Sequence, residues 1–109
     1  MPLSKRARIE IYLPEGDKRL RRLRSAFENE FLHTFGGCTV IREINGLYLS
    51  SNNKPEFDKI TLVYTDTPFD PDEHFEAIER YADQLREAAL EASSEESVLV
   101  AVHEIYHSL

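Results

Sequence analysis

FGGCTVIREINGLYL, residues 35 to 49, holds three of the chain's four glycines and its single cysteine. A glycine pair beside a lone thiol suits either a phosphate cradle with a nucleophile or the join between a helix and a strand. Direction decides between them. Upstream, Leu20, Leu23, Phe27, Phe31 and Phe35 recur at three- and four-residue steps, the apolar stripe of a helix running from Asp17. Gly36 and Gly37 stop it, because glycine takes the left-handed conformation just beyond a helix end without steric cost. A phosphate cradle needs its glycines ahead of a helix N-terminus, where free N–H groups point outward. These follow a C-terminus, so the pair is a structural join. The residues after it are β-branched and alternating. Asn45-Gly46 could turn a hairpin between Thr39–Ile44 and Leu47–Ser51, or mark a bulge in one long bent strand. The long strand is preferred, since SSNNKPEFD, residues 50 to 58, supplies a full turn of its own.

The same periodicities extend outward. Ala7, Ile9, Ile11 and Leu13 alternate with Arg8, Glu10 and Tyr12 in a half-buried strand that Pro14 ends. Ile60, Leu62 and Tyr64 alternate with Thr61, Val63 and Thr65 in a third strand. A second helix follows: Asp70 suits its N-cap, Pro71 its first position and Glu73 the acid of a capping box. Phe75, Ile78, Ala82, Leu85 and Ala89 form its apolar stripe, and SSEES, residues 93 to 97, ends it. SVLVAVHEIYHSL holds the fourth strand. The order strand, helix, strand, strand, helix, strand predicts an α+β chain: a four-stranded antiparallel sheet with both helices on one face, the ferredoxin-like or split βαβ plait.

The FGG-x-T…NG-x-Y pattern, Phe35 to Tyr48, resembles a strand-entry pattern in some small bacterial ferredoxin-like domains, which the whole chain also resembles in topology. The resemblance implies that fold and a dimer. It implies no function, because this superfold hosts enzymes, regulators and binding modules alike.

With 109 residues, 41% of them hydrophobic, the chain suits one domain spanning residues 1 to 109. One cysteine excludes an intramolecular disulfide, and MPLSKRARIE lacks the apolar segment of a secretory signal, so a cytoplasmic protein is expected. The longest apolar run, VLVAV, is far short of the roughly 18 to 20 residues that span a bilayer, and no membrane partner is expected. Charge is uneven: residues 1 to 25 hold eight of the 13 Lys and Arg against three of the 20 acids. The remainder is strongly acidic and opposes polyanions at long range, which makes nucleic acid an unlikely partner.

The exception is KRLRRLR, where Lys18, Arg19, Arg21, Arg22 and Arg24 crowd the start of helix one, against the helix dipole, the first four being the candidate anion-binding residues. They form either an anion-binding site with the free N–H groups of the first turn, or a basic face beside acidic helix two. Cys38 is expected to be a small buried core residue, His33 having no spacing that makes it a base for the thiol. On an extended strand His103 and His107 share a face but lie about 13 Å apart, too far to chelate one ion, so no metal and no cofactor are called for.

Ile9, Ile11, Ile60, Leu62, Val98, Val100 and Val102 are expected to face the helices. Tyr12, Val63, Leu99, His103 and Ile105 would then lie on the open face, a mixed surface that calls for a cover. Two function classes fit. One is a non-enzymatic homodimeric binding or regulatory module, taking a small molecule or protein partner on the open face or in the inter-subunit cleft. The other is a cofactor-independent enzyme with His103 as general base and Tyr12 or Tyr106 as hydrogen-bond donor.

Overall fold

The computed structural model describes residues 3–16, 18–93 and 98–108. Asp17, where helix one was expected to start, and residues 94–97, most of the SSEES stop, lie outside them. Six elements follow in order: β1 (Ser4–Pro14), α1 (Lys18–Phe35), β2 (Thr39–Leu49), β3 (Pro55–Asp66), α2 (Phe75–Ala92) and β4 (Leu99–His107). The strands form one antiparallel sheet in the order β2-β3-β1-β4, which is the ferredoxin-like plait.

β1 is a central strand, and its alternation sorts the sheet into two faces. Ala7, Ile9, Ile11 and Leu13 are all at most 1% exposed. Ile9, Ile11 and Leu13 pack with Leu23, Phe27 and Phe31 of α1, Leu85 and Ala89 of α2, and Val63 of β3. Directly paired residues share a face, so Val63, opposite Ile11, points to the helices, while Leu62, opposite Tyr12, points away. This corrects the expected phase of β3: Val63 is core, and Ile60 and Leu62 belong to the open face. β3 is apolar on both sides, so alternation alone did not phase it; pairing with β1 does.

The glycine pair sits where the direction argument puts it. Gly36 has φ +88° and its N–H donates to Leu32 O at 2.9 Å, closing the end of α1. β2 is one long strand, and Asn45-Gly46 turns no hairpin. The irregularity lies upstream, between Ile41 and Ile44, where β2 spends one residue more than β3 and Glu43 takes φ +60°. Gly46 serves close approach instead: a Cβ there would lie 2.6 Å from Ile60 Cδ1.

α2 proper begins at Phe75, with His74 as N-cap and no side-chain cap. Asp70 caps the turn before it, its Oδ1 accepting the N–H groups of Asp72 at 2.8 Å and Glu73 at 3.4 Å. The capping chemistry expected at Asp70 is therefore present, one turn ahead of the helix.

The two glycines of the join differ in what they need. Gly36→Ala forces an L-residue to positive φ and should cost about 1 to 2 kcal/mol. Gly37 lacks positive φ and has nothing within 4 Å of an added Cβ, so Gly37→Ala should be neutral or stabilise by less than about 1 kcal/mol. Urea midpoints of the two variants check this; equal losses would contradict the assignment of Gly36 as the helix stop.

Candidate functional site

The open face of the sheet is ordered in rows. Ile41 pairs with Leu62, Leu62 with Tyr12 and Tyr12 with Leu99, so one apolar row crosses all four strands. Its outer members are well exposed, Ile41 at 44% and Leu99 at 59%. Ile44 and Ile60 flank it on the side of the β2–β3 turn. On the helix-side face the β2–β3 hairpin runs beyond the core, leaving Leu47, Leu49 and Phe57 between 65% and 75% exposed.

The rows on the other side are polar. Glu10 is only 8% exposed, because β1 has a neighbour on each edge. Its Oε1 accepts from Tyr12 OH at 2.9 Å and lies 2.7 Å from His103 Nε2. Asp66 receives the Arg8 guanidinium through both oxygens, at 2.6 and 3.1 Å, and its Oδ2 lies 3.0 Å from His107 Nε2. Arg8 also stacks 4.3 Å from the centre of the Tyr64 ring. In neutral rings these bonds place the histidine protons on Nε2.

The network shifts its members. The bond to Glu10, helped by burial, raises the Tyr12 phenol above its usual range. Burial works to raise the Asp66 carboxyl, but the Arg8 bond and charge, with a smaller share from His107, outweigh it and hold the group below its usual range.

Among the residues singled out from sequence, His103 and Tyr12 therefore meet at one carboxylate oxygen, together with Glu10, which sequence reasoning did not select. Tyr106 does not join them: it pairs with Lys5 on the helix-side face and is 60% exposed. The His103–Glu10–Tyr12 group lies on a strand surface, with the His103 side chain 54% exposed. The apolar cleft between the helices, about 250 Å³ and lined by Phe35, Phe69 and Tyr81 among others, has no share in it. Among the described residues no three metal-ligating side chains converge.

Cys38 is exposed, contrary to the expectation of a core residue. It falls before β2 joins the sheet, so no neighbouring strand covers it. Desolvation of the sulfur and then the Glu28 charge raise its thiol, while His33 Nδ1 lies 2.8 Å from Asn29 O of its own helix. Nothing there activates a nucleophile.

Of the four basic candidates, Arg19 is exposed. Lys18, Arg21 and Arg22 line an open depression on α1 with Ser25, Ala26 and Asn29. Arg21 also borders a smaller cavity of about 130 Å³ together with Arg24, the last residue of KRLRRLR, and with Arg42, which the sequence did not single out. Arg42 was hidden because the bulge that aims it was not located.

No family model and no curated protein matches the chain. Solved structures do. CutA1 from Oryza sativa superposes with a TM-score of 0.60 at 16% identity, covering 94% of this chain and 82% of that one. CPII from Thiomonas intermedia K12 does so in two structures. In the one bound to ADP, AMP and acetate, the TM-score is 0.51 at 17% identity, covering 100% and 94% of the two chains. In the one bound to ADP and bicarbonate, it is 0.54 at 18% identity, covering 99% and 93%. Likeness at this identity establishes the shared ferredoxin-like fold. No described helix is long and apolar enough to cross a membrane.

Because the folded-state pKa of Asp66 is depressed, its contribution is present above the ordinary aspartate value of about 3.9 and is lost as pH falls through the folded value. Asp66→Asn should cost about 1 to 3 kcal/mol at pH 7, leaving Arg8 partly buried without its carboxylate. That cost should shrink below about pH 4. Denaturant midpoints from pH 7 down to pH 2 measure both effects; a cost independent of pH would remove the Arg8–Asp66 pair as its cause.

Proposed function

We propose that the protein is a non-enzymatic, homodimeric binding or regulatory module, whose open sheet face meets a second copy and takes a small molecule or protein partner there or in the cleft between copies. The observation that carries this is the apolar row Ile41–Leu62–Tyr12–Leu99, which crosses the whole sheet with its two ends exposed. Contiguous apolar surface of this kind is normally covered. The adjacent polar rows point the same way, since Glu10 and Asp66 each already hold two partners. The CPII structures, bound to ADP, AMP, acetate or bicarbonate, support small anionic ligands as the class such a fold accommodates. A single cysteine, exposed in the fold, suits a reducing cytoplasm.

The enzyme reading has one observation in its favour: His103 is oriented by the Glu10 carboxylate beside a tyrosine hydroxyl. In that reading His103 is the base and Tyr12 the donor, with Tyr106 outside the group. The exposure of the His103 side chain favours the module.

Light scattering at tens of micromolar should give a mass of at least two 12.6 kDa chains. Leu99→Glu places a charge in the exposed end of the row and should return the protein to monomer with its fold intact by circular dichroism. A monomeric wild type would defeat the proposal.

A further inference from the structure

The cavity of about 130 Å³ where β1 hands over to α1 is bordered by Arg21, Arg24 and Arg42 against one carboxylate, Glu15, with Gly16 and Thr61 completing its polar wall. We propose that it binds one oxyanion, a phosphate or carboxylate group, held by these three guanidiniums. It lies on the helix side of the sheet, with Leu13 and Thr61, and so does not rest on the reading of the open face.

The arginines come from two separate segments. Arg21 and Arg24 lie one turn apart on α1, and Arg42 reaches in from the β2 bulge. Three like charges converging on one cavity repel unless an anion sits between them. Glu15 cannot fill that role alone. Its Oε1 already accepts the Thr61 hydroxyl at 3.0 Å and the Glu43 N–H at 3.2 Å, and Arg42 Nε stays 3.7 Å from it.

Arg24 is the member least satisfied within the chain. Its Nε is buried without a hydrogen-bond partner and stands 3.7 Å from Glu28 Oε1. Buried donors are almost always paired, so this one calls for an acceptor the protein does not supply. Arg21 gives one bond, 3.2 Å to Gly16 O. Planar guanidiniums present forked donors that match phosphate and carboxylate oxygens.

The alternative of a basic face paired with α2 has no contact to support it. Among the described residues no ion pair joins the α1 arginines to acids of α2. The cation that reaches the acids ahead of α2 is Lys5 of β1, paired with Asp70 and Asp72.

Size narrows the class. At about 130 Å³ the cavity is near the roughly 150 Å³ that admits a benzene-sized molecule, room for one oxyanion group and not for a whole nucleotide. Arg21 also borders the open depression with Lys18 and Arg22, so an oxyanion carried on a larger ligand would place the rest there.

Melting temperature of the full chain should rise more in sodium phosphate than in sodium chloride at equal ionic strength and pH, through preferential binding to the folded state. Calorimetric titration with inorganic phosphate should bind wild type and weaken by about tenfold or more in Arg24→Gln and Arg42→Gln, as for loss of one charge-assisted bond. The Arg42 side chain is 60% exposed, so Arg42→Gln tests the site even if Arg24→Gln fails to fold. Arg80→Gln, at an exposed arginine of α2, should bind as wild type. AMP binding more tightly than phosphate, with adenosine silent, assigns the oxyanion to a larger ligand; phosphate binding at least as well assigns it to the free ion. Identical melting shifts in phosphate and chloride, or full phosphate affinity in Arg42→Gln, would overturn the site.

Discussion

β1 is hydrogen-bonded along both edges, to β3 on one side and β4 on the other, and the rest of the structure follows from that. A strand so placed has no free edge, and its two faces must take different chemistry. The face with Ala7, Ile9, Ile11 and Leu13 is consumed by the helices. The other carries Arg8, Glu10 and Tyr12, which neighbours on either side largely screen from water. A carboxylate as enclosed as Glu10 needs partners, and the registers of β1 supply them: Tyr12 from its own strand and His103 from β4. Arg8 is likewise met by Asp66 directly opposite on β3. The polar network is thus a consequence of centrality as much as a device for binding.

That origin bears on what the network can do. Each acid is held by a base or a hydroxyl, and the Arg8–Asp66 pair uses both forks of guanidinium and carboxylate. Groups committed in this way specify register and orientation, and they are poor candidates for proton shuttling unless a ligand displaces a partner. The apolar row beside them has no such commitment.

The order of elements, the helix stop at Gly36 and the continuity of β2 were legible because each has a local cause: a periodicity, a left-handed glycine, a turn elsewhere that makes a second one redundant. The phase of β3 was not, since Ile60, Leu62 and Val63 are apolar on both faces and only the pairing of Val63 with Ile11 separates them. Cys38 was misjudged because a small apolar residue next to a strand was equated with a core position, although the strand begins after it. The site residues divide the same way. His103 and Tyr12 could be chosen by type, but Glu10 gains its role from burial, and Arg42 from a bulge whose only trace in sequence is an ordinary Arg-Glu.

The bulge also connects the two ends of β2. If Arg42 and Glu43 both kept regular strand alternation, Ile41 on the open face would leave Ile44 on the helix side. With the bulge, Ile41 and Ile44 both lie on the open face and extend the apolar surface toward the hairpin. The same insertion brings the Glu43 N–H to Glu15 and Arg42 to the edge of the arginine cavity. One local irregularity therefore sets the composition of both surfaces. Deleting Glu43 would leave one residue between Ile41 and Ile44, as Thr61 alone lies between Leu62 and Ile60, so Ile44, Leu47 and Leu49 would keep their partners and faces while the Glu43 N–H bond to Glu15 would be lost.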